Sequence, residues 1–197
     1  MISRRAALAI DCVLVILVAA CASTPASRFY TLSAASSTAA PSSNFSIAVG
    51  PVSVPAVVDR PQIVVTLGPN QVRMEEFNRW AAPLQNNIAR VVADNLVSML
   101  GTPRVTLAAQ TLSAGADYRA AIDVQSFDSA PGESATLDAV WTVIRIKDGK
   151  SQTGRTTVRE AVQEKSYDAL AAGHSRAILR LSRDIADEVG VLSRSGQ

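Results

Sequence analysis

The chemistry open to this chain depends on which reactive side chains it carries and how they are spaced. There is one histidine, His174. It falls at helical spacing between Leu170 and Ile178, which turns it towards a packed interior or its edge. An imidazole can act as a general base, but no serine stands in a Gly-x-Ser-x-Gly elbow. A hydrolase would need His174 beside a serine and a carboxylate in a cleft. Metal centres ask for clustered ligands at set spacings. Asp184, Asp187 and Glu188 instead alternate with Arg180 and Arg183 and read as a solvated helix face, while Glu75 and Glu76 read as a strand rim. The glycines are scattered, with no phosphate-cradling loop and no Walker-type lysine. We therefore expect no metal, no cofactor and no catalytic residues.

Cys12 and Cys21 are the two cysteines, and their setting carries more information. Arg4 and Arg5 precede an apolar stretch, Ala6 to Ile10 and Cys12 to Val18, which is shorter than the roughly 20 residues a membrane-spanning helix needs. The stretch ends in Val18-Ala19-Ala20-Cys21, which resembles the bacterial lipobox. That motif needs a thiol, because the sulfur takes a diacylglyceryl group and the amine freed by cleavage can take a third chain. At about 0.8 kcal/mol per buried CH₂, two or three chains anchor a protein durably where one does not. The expectation is a signal over residues 1–20 and lipidation at Cys21. Val18 stands where leucine is usual, Asp11 interrupts the apolar run, and an ordinary secretory signal or an uncleaved anchor is the alternative. Without Cys12 and Cys21 the folded part has no disulfide and no thiol ligand.

Two polar segments stand out in the remainder. Asp59-Arg60-Pro61-Gln62 joins two apolar runs, and either docks a partner or simply makes a turn. Arg79-Trp80-Ala81-Ala82-Pro83 leads into a helix, where Trp80 is either a hydrophobic staple or an exposed interface anchor. Net charge is +2 over 197 residues. Removing the first twenty leaves the rest within one charge of neutral, so there is no basic field to draw nucleic acid. Apolar residues make up 48% and charged ones 18%, enough for a folded core.

The elements that would position these residues are legible. After a short tether, Arg28 to Leu32 reads as a strand. Ser33 to Asn44 is almost wholly Ser, Ala, Thr and Pro and reads as flexible loop or tether. Phe45 to Val54 alternates as a strand ending near Pro55, and Ile63 to Leu67 suits a buried strand. Gly68-Pro69-Asn70 turns it back through Gln71 to Phe77. Pro83 to Leu100 carries an i, i+4 stripe of Leu84, Ile88, Val92, Leu96 and Leu100, with Gly101 as C-cap. Arg104 to Ala108, Tyr118 to Phe127 and Ala135 to Lys147 read as strands, and Asp148-Gly149 returns the chain through Lys150 to Val162. Tyr167 to Leu192 is a second long helix. The fold class is α+β: a mixed, mainly antiparallel sheet with two long amphipathic helices on one face. Residues 45–197 form the domain proper, which the strand at 28–32 joins.

The order Phe29-Tyr30-Thr31-Leu32, Val49-Gly50-Pro51-Val52, Asp59-Arg60-Pro61-Gln62-Ile63-Val64 and Arg79-Trp80-Ala81-x-Pro83-Leu84 resembles the PqiC/YmbA group of auxiliary lipoproteins of ABC-type envelope transporters. The resemblance spans about Arg28 to Leu192, with Ala82 standing where an acidic residue is frequent. It implies a subunit of a lipid-trafficking system built around MCE-domain proteins, which move phospholipid or other hydrophobic molecules between the inner and outer membranes. It also implies a lipid anchor in the inner leaflet of the outer membrane, with Ala22 after the cysteine agreeing with enterobacterial sorting, and docking to an MCE subunit. Asp59, Arg60, Pro61, Gln62, Arg79 and Trp80 are then the partner-binding candidates, and a homo-oligomeric ring is consistent with ring-forming partners. The alternative is an envelope lipoprotein that stabilises outer-membrane assembly or itself holds a hydrophobic ligand.

Overall fold

The computed structural model describes residues 25–35, 43–108 and 115–195. The signal segment, Cys21 and residues 36–42 lie outside them. Among the described residues, eight strands and two helices follow in the order β1 (Arg28–Tyr30), β2 (Ile47–Ser53), β3 (Gln62–Gly68), β4 (Gln71–Trp80), α1 (Leu84–Leu100), β5 (Val105–Leu107), β6 (Tyr118–Ala130), β7 (Ser134–Arg145), β8 (Ser151–Ala161) and α2 (Tyr167–Arg194). The class is α+β.

The strands form two sheets rather than one. The larger runs β5-β2-β6-β7-β8 and the smaller β1-β4-β3. The β3/β4, β6/β7 and β7/β8 pairs are antiparallel, while β1 lies parallel to β4 and β2 lies parallel to both β5 and β6. The division falls between β2 and β3. Pro55 cannot continue the ladder, and its carbonyl accepts from the amides of Val58 (3.0 Å) and Asp59 (3.1 Å), turning the chain out of the large sheet.

Both helices bury their stripes against one face of the large sheet, α1 over β2 and β5 and α2 over β6, β7 and β8. Leu84, Ile88, Val92 and Leu96 are fully buried on α1, as are Leu170, Ile178, Leu181, Ile185 and Val189 on α2. Each such side chain contributes about 1.5–3 kcal/mol relative to exposure. Helix ends follow the local chemistry: Ser166 caps α2 through the Ala169 amide (3.2 Å), and Gly101 closes α1 in the left-handed region at φ 61°.

The Ser/Ala segment after β1 starts as packed chain. Leu32 is fully buried. The Ser33 amide donates to Ser175 Oγ (3.1 Å) on α2 and the Ala35 amide to Asn95 Oδ1 (3.1 Å) on α1. Asn95 also donates to Ser182 Oγ at 3.1 Å. Residues 31–35 are thus pinned between the helices by buried polar side chains, which composition alone does not reveal.

On β8, Gly154 sits directly opposite Trp141 of β7, and a Cβ there would meet the indole at 2.2 Å. The ring lies over the glycine and its Nε1–H donates to Thr156 Oγ1 (3.0 Å), whose hydroxyl donates in turn to Asp184 on α2 (2.6 Å). Gly154→Ala must displace the indole and break this relay. We expect a loss of about 1–3 kcal/mol, the usual cost of overpacking, read as a lowered urea midpoint with unchanged slope; an unshifted midpoint would contradict the stacked arrangement.

Candidate functional site

The two polar segments singled out in the sequence meet at one end of the small sheet. Gln62, opening β3, pairs with Arg79 near the end of β4, and the Trp80 amide donates to the Pro61 carbonyl at 2.7 Å. Phe29 lies beside Arg79 and Tyr30 beside Trp80 in the parallel β1/β4 ladder. Arg79 Nε donates to the Glu76 carbonyl (2.8 Å), and its guanidinium stands 3.6 Å from the Glu76 carboxylate. Gln62 Nε2 reaches the same carboxylate at 3.5 Å. Arg60 Nη1 lies 2.8 Å from Met74 Sδ, while its buried Nε has no partner among the described residues. Asp59 and Pro61 are exposed.

Trp80 differs from its five companions. It is 6% exposed and packs edge-on against Phe127 of β6, centroids 6.1 Å apart. It is not an exposed anchor: the ring belongs to the core and holds the end of β4 in place, so any effect on a partner passes through its neighbours. Phe127 in turn stacks on His174 (3.7 Å, 10°).

The exposed apolar residues of the small sheet were not singled out in the sequence; Leu67 and Val72 lie at its β3/β4 turn, and the others lie nearer the Gln62/Arg79 end. Six of the nine large apolar side chains exposed among the described residues belong to the small sheet or the turn leading into it: Phe29, Val57, Leu67, Val72, Met74 and Phe77. Phe29 is the extreme, at 65% exposure. The available signal was β4 itself, where apolar residues alternate with charges without a consistent buried side. A grouping of this kind is characteristic of contact surfaces.

The other reactive groups are engaged structurally. His174 is fully buried, its Nε2 2.8 Å from Ser129 Oγ and its Nδ1 without a partner. A serine is therefore adjacent, but the pair is sealed in the core and no carboxylate among the described residues orients the ring. Burial holds the imidazole neutral, lowering its pKa to about 3. Asp184 accepts from Thr156 and pairs with Arg180 (3.1 Å), so it is partly buried rather than fully solvated. Glu75 is likewise tied down, accepting from Arg73 Nε at 2.6 Å. Tyr167 lies against this pair, and its pKa rises to about 12 through burial and the Glu75 carboxylate. No group of three or more His, Cys, Asp or Glu suited to a metal occurs among the described residues, and no helix among them is long and apolar enough to cross a membrane.

Fold and site together define a two-layer α+β domain whose most distinctive exposed feature is a mixed apolar and charged sheet end. The chain belongs to the family described as "ABC-type transport auxiliary lipoprotein component", whose model matches residues 30–186. No curated protein matches. Two solved structures are similar. A crystal structure of an uncharacterized protein has TM-score 0.69 at 21% identity, over 84% of this chain and 99% of that one. Protein XCC0632 from Xanthomonas campestris, of family DUF330, has TM-score 0.64 at 19% identity, over 86% and 98%. These likenesses establish the fold, and family membership makes the chain an auxiliary component of ABC-type transport.

The buried histidine gives this site a pH signature. In the unfolded chain His174 takes up a proton near its ordinary pKa of about 6.5, whereas in the folded protein it does so only near 3. Stability is then complete above about pH 6.5 and falls as pH drops towards 3, by roughly 2 kcal/mol at pH 5. Asp117, Asp138 and Asp148 have lowered pKa values, through the Ser46, Arg155 and Arg145 contacts respectively, so their losses fall below about pH 4. Urea midpoints between pH 7.5 and 4.5 should slope in the wild type and flatten in His174→Gln. Equal slopes would mean that the imidazole is not desolvated.

Proposed function

We propose that this chain is a non-enzymatic accessory of an MCE-type system that moves lipid or other hydrophobic molecules across the bacterial envelope, and that it works by docking a partner subunit. The single observation that carries the proposal is the clustering of Asp59, Arg60, Pro61, Gln62 and Arg79 with exposed Phe29, Met74 and Phe77 at one sheet end, in a family of transport auxiliaries. Such a surface combines apolar area, worth about 25 cal/mol per Å² once covered, with the exposed Asp59 and the charged ends of Arg60 and Arg79, which can fix a partner's register.

The proposed mechanism is positional. Cleavage before Cys21 and acylation of its thiol anchor the chain, in this reading, in the inner leaflet of the outer membrane facing the periplasm. Six residues separate Cys21 from Arg28, so the two are seven residue steps apart, a reach of at most about 25 Å. Since β1 is an edge of the small sheet, so short a tether holds the docking end close to the bilayer, where an MCE assembly bringing cargo from the inner membrane arrives. Copies of the chain arranged in a ring would match the symmetry of such an assembly.

Mild crosslinking of the full-length lipidated protein in its native membranes, followed by affinity capture and mass spectrometry, tests this reading. Recovery of an MCE-domain subunit is expected. Met74→Glu and Arg60→Glu should each reduce that recovery severalfold while leaving the melting temperature within a few degrees. Trp80→Ala should instead cost about 3–5 kcal/mol of stability. Recovery of outer-membrane assembly proteins alone, where MCE subunits are detectably expressed, would favour the alternative envelope role.

A further inference from the structure

A second surface lies at the opposite edge of the molecule's strand order, along β8. Among the described residues β8 pairs only with β7, so one side of this eleven-residue strand has no strand partner, though the carbonyl of its last residue, Ala161, accepts from Arg176 (3.2 Å). An open cleft of about 680 Å³ runs beside this edge, between β8 and the outer face of α2. Five arginines line it: Arg155 and Arg159 from β8, and Arg176, Arg180 and Arg183 from α2.

The charges are arranged asymmetrically. Arg155 pairs with Asp138, Arg176 with Glu160 (2.8 Å) and Arg180 with Asp184 (3.1 Å). In each pair the acid is recessed and the guanidinium projects; Arg155 is 62% exposed against 16% for Asp138. Arg159 and Arg183 are exposed and have no acidic partner among the described residues. On β8 the even residues face α2, as Thr156 bonded to Asp184 and Glu160 paired with Arg176 show. Arg155 and Arg159 therefore flank the open ladder from the other sheet face, while Arg176, Arg180 and Arg183 flank it from the helix side.

Spacing adds to this. Arg176, Arg180 and Arg183 stand at i, i+4 and i+7, on one helix face, with successive rises of about 6 Å and 4.5 Å. Alternate residues of an extended strand repeat at about 6.8 Å. A segment laid against β8 with an acidic residue at every second position therefore presents carboxylates at nearly the interval of the α2 guanidiniums.

We propose that the β8 edge and its arginine-lined cleft bind an extended acidic segment of another protein, added as a further strand. Charge excludes the simpler occupants. A second copy of β8 would set Arg155 and Arg159 against the same residues, where like charges repel. Nor can this chain cover the edge itself, since the residues outside the described ones contain a single acid, Asp11. This surface is distinct from the small-sheet end, and the inference stands whether or not an MCE subunit docks there.

The test uses the full-length protein in mild detergent and a fluorescent ten-residue peptide alternating Glu with Thr and Val. Saturable binding is expected, weakening as salt rises from about 0.05 M to about 0.3 M. Arg180→Glu with Arg183→Glu, both exposed on the helix side of the ladder, should lower affinity about tenfold or more with the melting temperature within a few degrees. N-methylation of alternate peptide amides should lower it comparably, because strand addition needs the backbone ladder. No binding, an unaffected arginine variant, or full binding by the N-methylated peptide would overturn the proposal. Displacement of the peptide by phosphatidylglycerol vesicles, with N-methylation having no effect, would reassign the cleft to lipid headgroups and likewise overturn it.

Discussion

Trp80, Phe127 and His174 come from β4, β6 and α2, yet they form one continuous column of rings. Trp80 meets Phe127 edge-on and Phe127 lies flat on His174. This column ties the small sheet to the large sheet and the helix layer, since β3 and β6 pack together without sharing a ladder. Aromatic pairs of this geometry contribute about 0.5–1.5 kcal/mol each beyond the area they bury. Tyr30 and Tyr167 supply a second tie, their rings 5.8 Å apart, with Tyr30 donating to Asn78 at 3.0 Å. The candidate docking end depends on both ties, because its backbone is the β1/β4 junction that they hold.

The column also explains why the single histidine is a structural group. A neutral imidazole stacked on phenylalanine and bonded to Ser129 fills a core position that a charged one could not. The reactive pair that a catalytic reading would look for is present as neighbours but closed to substrate. At the surface, the small sheet offers apolar side chains and the β8 edge offers guanidiniums. These surfaces lie on different sheets.

Polar groups inside the layers contribute to specificity of arrangement. Asn95 joins residue 35 to both helices, and the Trp141–Thr156–Asp184 relay joins β7, β8 and α2. Arg145 is buried at the end of β7 and donates to Asp148 in the following turn and to the Leu192 carbonyl near the end of α2 (2.5 Å). Each satisfies groups that would be costly to bury alone, and together they set how α2 lies across the sheet.

Much of this was legible in the chain itself. Local signals sufficed for the helices, because the Leu84–Leu100 and Leu170–Leu192 stripes repeat over several turns and the first is bounded by Pro83 and Gly101. The β7/β8 hairpin followed from Asp148-Gly149, and the strands from alternation and flanking turn residues. The family was legible because four short words stand in fixed order. What needed the tertiary structure was every feature set by contacts distant in sequence. The bulge between Val124 and Ser126 moves the buried side of β6 from even to odd positions, so Phe127 and Ser129 face inward. Alternation carried through from Tyr118 points Phe127 the other way. The division into two sheets, the burial of Trp80 and the pinning of Ser33 and Ala35 are likewise long-range packing outcomes. Residue type and spacing describe what each segment can do alone, but which face meets which neighbour is decided only when the whole core closes.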